Sequence, residues 1–424
     1  MDITIMPRLL CGEIHAPSSK SDIHRILICA SLSDKPTRIF FTGLSQDIET
    51  TIRCLQALGS VVKKERDCWQ VFPRKDSVLC RPTLYCGESG STLRFLLPVA
   101  GALKTETLFM AEGRLPERPL LPLILEMERH GCRFTEHAPP FSVTGTLTPG
   151  QYILPGNISS QFITGMMLAL PLLPGDSTIR LTSPLESHSY VDMTIRTLRQ
   201  FGISIQVRPD GGFDIPGSQT YRSPGSIQAE GDWSNAAFWL CAGALGRPVT
   251  CRGLSSDTLQ GDRKVLFFLR QFGAEVNEDA DGATVSPRPL RAIDLDASDI
   301  PDLVPILSVV AAAAPGTTRI CHAGRLRLKE SDRLSAVSAC LTGMGAQVRE
   351  FTDSLHIEGG RALRGSLIRD YNDHRITMAM SIASILCSEE VTIKGAETIR
   401  KSYPAFFQDF QHLGGAIHVI DDRH

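Results

Sequence analysis

A mixed α/β (α+β) fold built as two similar halves is predicted by three features of this 424-residue chain. These are a repeat, a fixed order of elements within it, and the clustering of polar residues at helix starts. An apolar helix end, a glycine and an extended segment recur at Gly59, Gly131, Gly202, Gly273, Gly345 and Gly414, spaced by 72, 71, 71, 72 and 69 residues. A period this even marks an internal repeat. Glycine suits a helix end because it enters the left-handed conformation without a Cβ clash.

Within each copy a short β-rich strand precedes the helix that ends in the glycine, at 37–41, 107–111, 177–181, 248–252, 317–321 and 391–394. Another apolar helix precedes that strand. After the first five glycines a hairpin follows. The clearest alternates Ile203, Ile205 and Val207, turns at Pro209-Asp210-Gly211-Gly212, and returns through Phe213 and Ile215. A second turns at Asp281-Gly282 between 274–277 and 283–286. The sixth copy has one strand, and the N-terminal strand 2–6 is the expected partner. The unit reads helix–strand–helix–Gly–strand–turn–strand. Three copies precede about Gly231 and three follow, which places domain boundaries at 1–19 plus 231–424 for one half and 20–230 for the other.

The segment Pro17–Arg25 is expected to lead from the first strand into a helix with the apolar stripe Ile23, Ile26, Leu27 and Ala30, capped by Ser21. Lys20 and Arg25 then lie at the positive end of a helix dipole, at a cost of about 0.3–1 kcal/mol each that an anionic ligand would remove.

Composition narrows the function. A net charge of −2 gives no global reason for nucleic acid or membrane partners. The start MDITIMPRLL lacks a basic segment followed by an apolar one, and the longest apolar runs, such as 376–387, are too short to span a bilayer. A cytoplasmic protein is expected. Its 12 scattered cysteines lack CxxC spacing, so buried thiols are expected rather than disulfides. No ligand-like cluster is present, and no metal is expected.

The polar signals stand ahead of the two helices of each copy. Before the first helices come Lys20, Ser21 and Arg25, then Gly90, Ser91 and Arg94, then Ser159, Ser160 and Gln161. Asp232 and Ser234, Asp302, and Asp373, His374 and Arg375 complete that set. Before the second helices come Asp47, Arg118, Ser187 and Tyr190, Asp262 and Arg263, Lys329, Glu330 and Arg333, and Lys401. Equivalent copies gather helix starts on one side of each half, which predicts a cleft between the halves for a multiply anionic small molecule. Taken singly, each motif has a plainer reading. Ser159-Ser160-Gln161 is a helix cap, Arg118 a surface ion pair, 329–333 a solvated charged turn, and Asp373–Arg375 a cap with an ion pair. The Gly/Ser loop 86–92 is neither a Walker loop nor GxGxxG.

The stretches PSSKSDIHR, SGSTLR, PERP, SSQF, SHSYVD, IPD, KESDR, YNDHR and RKSYP stand in order over nearly the whole chain. In these nine motifs the chain resembles the 5-enolpyruvylshikimate-3-phosphate (EPSP) synthases. The resemblance implies two domains, each of three βαβαββ units, with the active site in the interdomain cleft. It implies transfer of the enolpyruvyl group of phosphoenolpyruvate to the 5-hydroxyl of shikimate 3-phosphate, by addition and elimination, with no cofactor and no metal. The partners it implies are these two small molecules, and a monomer is expected because one chain forms the cleft.

By motif match, Lys20 meets both substrates and helps phosphate leave. Ser21, Arg25, Ser159, Ser160, Gln161, Ser187, Tyr190, Asp302 and Lys329 match the shikimate 3-phosphate side. Gly90, Arg94, Arg118, Gln161, Arg333, Arg375 and Lys401 match the phosphoenolpyruvate side. Asp302 matches a base for the 5-hydroxyl, and Glu330, with His374 beside it, a proton donor to C3. Two residues depart from the family pattern, Glu88 where Asn is usual and Phe95 where many members have Pro. Both flank the Gly90 loop, where glyphosate competes with phosphoenolpyruvate in the family. The UDP-N-acetylglucosamine enolpyruvyl transferases share fold and reaction type, but carry a cysteine in the loop that here reads GRLPERP (113–119). An inactive anion-binding scaffold would need the cations but not Asp302 and Glu330.

Overall fold

The computed structural model describes residues 1–74 and 81–420. Two compact units divide the chain, Lys20–Ala229 and Met1–Ser19 with everything from Glu230 onward. Each has its own apolar core. The first contains helices α1 (Lys20–Leu32), α2 (Gln46–Ala57), α3 (Gly90–Ala102), α4 (Leu121–Arg129), α5 (Ser160–Ala169) and α6 (His188–Gln200). The other contains α7 (Trp233–Leu245), α8 (Val265–Phe272), α9 (Val304–Ala313), α10 (Arg333–Gly343), α11 (His374–Ala383) and α12 (Phe406–His412).

Every repeat builds one four-stranded sheet on a single plan. In the third, Gln151–Leu154 runs parallel to Ser177–Leu181, which pairs antiparallel with Phe213–Ile215, itself paired with Gln206–Val207. A parallel pair needs a crossover, and α5 supplies it. The opening strand of each sheet is short and had no signature of its own in the sequence, although the βαβαββ unit implied it. Two opening strands come from far away in the chain. Gly12–His15 pairs with Val249–Arg252, and Ser226–Gln228 pairs with Thr37–Phe40. Segment 17–25 therefore follows the strand Gly12–His15, not the strand Asp2–Met6. That first strand instead lies antiparallel between Val391–Ile393 and Ala416–Ile420, completing the sixth sheet as expected.

All six repeat glycines lie at positive φ, between 76° and 109°, so a side chain at any of them would be strained. The first helix of each repeat is buried almost all round. Every residue of α11 is buried, as are all of α7 but Leu245. Second helices such as α6 bury one face. Polar residues at the starts of the first helices are thus carried inward by helices that the cores hold fixed.

The expected Ser21 cap does not form. α1 begins at Lys20, so Ser21 lies inside the first turn and is not its cap. The backbone N–H of Ser19 bonds the carbonyl of Glu230 (2.6 Å), which sets the chain direction one residue earlier. Eleven cysteines are free thiols and most are buried; Cys80 lies outside the described residues. No helix among the described residues is long and apolar enough to cross a membrane.

Candidate active-site residues in the two units

In the unit 20–229 the predicted residues lie at or near the starts of α1, α3, α5 and α6, except Arg118, which lies in the loop ahead of α4. Lys20 opens α1, and its Nζ is 2.8 Å from Asp47 of the first turn of α2, with both side chains under 20% exposed. The dipole conflict read from the sequence is thus met partly from within. Arg25, one turn on, is buried, and its Nε and Nη2 donate to Thr194 Oγ1 (2.8 Å) and the Tyr190 carbonyl (2.9 Å). Its guanidinium lies over the rings of Phe95 and Tyr190. Burial pushes its pKa down to about 10, which leaves it a cation at neutral pH. Ser187, at the start of α6, is buried in the left-handed conformation.

Arg94 joins α3 to α5. It donates to Gln161 Oε1 and to the Pro119 carbonyl, both at 2.9 Å, while Gln161 Nε2 donates to Ser91 Oγ (3.0 Å). The close approach has a local cause. Pro98 has no N–H for the Arg94 carbonyl four residues back. That carbonyl faces Gly165 of α5, where any Cβ would collide with it. Gly90 sits against two cations, and a Cβ there would lie 2.9 Å from Arg94 Nη1 and 3.1 Å from Arg118 Nη1. Ser159 does act as a helix cap, accepting from the Gln161 N–H, with Ser160 next to it in the first turn of α5. The Glu88 carboxylate packs against Gly113, where a Cβ would lie 2.5 Å from it.

In the other unit Arg333 is the hub. It is fully buried, and three carboxylates hold it. Nε meets Asp373 Oδ2 at 2.8 Å, Nη1 meets Asp302 Oδ1 at 2.7 Å, and Nη2 meets Glu330 Oε2 at 2.7 Å. Arg375 Nε is 3.4 Å from Asp302 Oδ1, and Lys329 Nζ is 4.0 Å from the same oxygen. Asp373 caps α11 through the Arg375 N–H and accepts from Ser331 Oγ. His374, also buried, has Nδ1 4.0 Å from Asp373 Oδ1. Lys401 Nζ donates to the carbonyl and Oδ1 of Asn372 (2.8 and 2.7 Å). Asp302, Lys329, Glu330, Arg333, His374 and Arg375 are thus one connected group, and Lys401 joins its edge through Asn372. Among the described residues no three His, Cys, Asp or Glu side chains are placed to hold a metal ion.

The charges set each group's state. Burial raises the Asp302 carboxyl, but Arg375, Lys329 and Arg333 outweigh it and hold it well below the usual range. It is a carboxylate at neutral pH. Burial, followed by the nearby charge of Asp302, pushes the neighbouring Asp262 up to about 7. Lys329 is lowered to about 8, chiefly by burial. Because the fold lowers this pKa from 10.5, the unfolded chain binds more protons between pH 8 and 10.5, and the contribution of Lys329 to stability rises across that window. Its effect on anion binding runs the other way. The KM for an anion held by the Lys329 ammonium should climb above pH 8, by up to about tenfold per unit. A Lys329→Arg variant should flatten that climb in a pH profile of KM.

The sequence did not single out Asp373 as a holder of Arg333, nor Thr194 as a partner of Arg25. Both contacts join residues far apart in the chain, and neither residue type is unusual where it stands.

The fold is that of an enolpyruvyl transferase. The enolpyruvyl transferase NikO from Streptomyces tendae superposes with a TM-score of 0.80 over 98% of both chains, at 18% identity. The EPSP synthase of Acinetobacter baumannii superposes with a TM-score of 0.83 over 99% of this chain and 100% of that one, at 25% identity. The model of the EPSP synthase (3-phosphoshikimate 1-carboxyvinyltransferase) family matches residues 6–410. Proteins named 3-phosphoshikimate 1-carboxyvinyltransferase are 43% identical over 417 residues in Clostridium kluyveri and 42% over 422 in Clostridium acetobutylicum, each covering 98% of both chains. The chain belongs to the EPSP synthase family, and its reaction is the enolpyruvyl transfer of the shikimate pathway.

Proposed function

We propose that the two residue groups act together on one phosphoenolpyruvate and one shikimate 3-phosphate. Arg25, Ser159, Ser160, Gln161, Ser187, Tyr190, Ser21 and Lys329 hold shikimate 3-phosphate. Gly90, Arg94, Arg118, Gln161, Arg333, Arg375 and Lys401 hold phosphoenolpyruvate, and Lys20 serves both. Arginines match carboxylate and phosphate oxygens in pairs, which fixes orientation as well as charge. Glu330 gives a proton to C3 while the 5-hydroxyl oxygen bonds to C2 and Asp302 takes its proton. The tetrahedral adduct then returns a C3 proton to the Glu330 carboxylate and expels its phosphate, which leaves beside the Lys20 ammonium. Asp302 is a weak base among three cations, and two bound substrate anions would offset them and raise its basicity. The chain is read as a monomer of 46.4 kDa in the cytoplasm, which sedimentation and fractionation check.

The observation that carries this reading is that two acids, Asp302 and Glu330, share one buried arginine that also suits the anion, so proton transfer and charge recognition meet in one group. The test is phosphate release from phosphoenolpyruvate with either shikimate 3-phosphate or UDP-N-acetylglucosamine present. Release is expected only with the first, and Lys20→Met should abolish it. Release with the nucleotide sugar instead would reassign the acceptor. Binding with no release under any condition would support the scaffold.

A further inference from the structure

A buried line of polar side chains runs behind the Gly90 loop. His24 Nδ1 is 2.8 Å from Thr51 Oγ1, which is 2.6 Å from Thr92 Oγ1. Thr92 Oγ1 donates to Ser89 Oγ at 2.7 Å, and the Thr92 N–H reaches the same oxygen at 3.3 Å. None of the four residues is more than 1% exposed. They come from α1, α2 and α3, and Ser89 is the cap of α3 immediately before Gly90.

Hydrogen-bond direction fixes the protons. Since Thr92 donates to Ser89, Thr51 must donate to Thr92 and must itself accept from His24. His24 therefore carries its proton on Nδ1. Its Nε2 is buried with no hydrogen-bond partner among the described residues, which is tolerable for a bare lone pair and costly for an N–H. The His24 ring stands nearly perpendicular to that of Phe95, with centroids 6.4 Å apart, and the Arg25 guanidinium lies over the Phe95 ring.

We propose that His24, Thr51 and Thr92 are positioning residues which, through Ser89, hold the Gly90 loop in register with Arg94 and Arg118 for phosphoenolpyruvate. The proposal rests on the reading of that loop as a phosphoenolpyruvate contact. The physical reason is rotamer control. Ser89 accepts twice from Thr92, so its side chain has one orientation, and the backbone turn into Gly90 is fixed with it. The Gly90 position leaves little slack, because a Cβ there would come within 2.9 Å of Arg94 Nη1 and 3.1 Å of Arg118 Nη1.

The test uses Thr51→Val, which keeps the shape and removes the hydroxyl, beside Thr51→Ser, which restores it. Thr51→Val should raise the KM for phosphoenolpyruvate about tenfold, the size of one buried hydrogen bond. The KM for shikimate 3-phosphate should change less than twofold, and Thr51→Ser should return both to within twofold of wild type. An unchanged KM for phosphoenolpyruvate, or equal rises in both that Thr51→Ser does not reverse, would overturn the proposal. Should Thr51→Val fail to fold, Thr92→Val against Thr92→Ser makes the same comparison. In the unmodified protein, imidazole nitrogen NMR should show neutral His24 protonated on Nδ1, and a proton on Nε2 would overturn the relay. That spectrum does not depend on turnover. A wild type inactive with both substrates would count against the proposed function and leave the relay standing.

Discussion

Arg333→Ala is expected to destabilise the unit from Glu230 onward by about 3–5 kcal/mol, as removing one partner from a buried ion pair does. The arginine itself has 1% of its side chain exposed, Asp373 has none, and Asp302 and Glu330 are under a quarter exposed. Truncation leaves three carboxylates facing one another across a cavity, and at least one must take up a proton or draw in water. For a unit of this size the loss corresponds to a fall in melting temperature of roughly 10 °C. Arg333→Lys keeps the charge but offers no planar fork, so it should recover only part of the loss. Thermal denaturation at pH 7 checks both variants. A melting temperature within 2–3 °C of wild type for Arg333→Ala, about the effect of 1 kcal/mol, would show that the three carboxylates do not depend on the arginine.

Glu330→Gln should lower kcat by about 10²–10⁴-fold, the usual contribution of a placed general acid. Both KM values should stay within a few-fold. The amide keeps an oxygen for Arg333 Nη2, so the cluster survives, but it holds no transferable proton. The expected pattern is a loss confined to turnover, the sign of an interaction made in the transition state. Were kcat to hold within threefold, Glu330 would be a holder of Arg333 and nothing more. His374, buried beside the same cluster, would then be the next proton source to test.

The repeat was readable because its marker is a backbone necessity. A helix that must end and turn into a strand favours glycine at positive φ, and six such ends give six glycines in register. The opening strands were unreadable residue by residue for the opposite reason. Gly12–His15 and Ser226–Gln228 are short edge strands whose partners lie more than 180 residues away, and nothing local marks them. Cations and acids at helix starts were visible as charges standing where charge is unfavourable or idle. Their connections were not. Asp373 reads as a cap and Thr194 as an ordinary helical threonine, until packing brings them to Arg333 and Arg25. The Ser21 cap failed because α1 starts one residue before it, at Lys20, next to a Ser19 N–H that bonds the distant Glu230 carbonyl.

The central claim is that protonation at C3 and attack by the 5-hydroxyl occur at a single site. Hydrogen exchange at C3 tests it most directly. In D2O, with phosphoenolpyruvate and shikimate 3-phosphate both present, addition turns the CH2 group into a methyl group, and reversal of that step, with loss of a C3 proton and departure of the 5-hydroxyl, returns labelled phosphoenolpyruvate. Deuterium should therefore enter recovered phosphoenolpyruvate only when the acceptor is present, and Glu330→Gln should suppress its entry. Label entering without shikimate 3-phosphate, or at an undiminished rate in Glu330→Gln, would contradict the account.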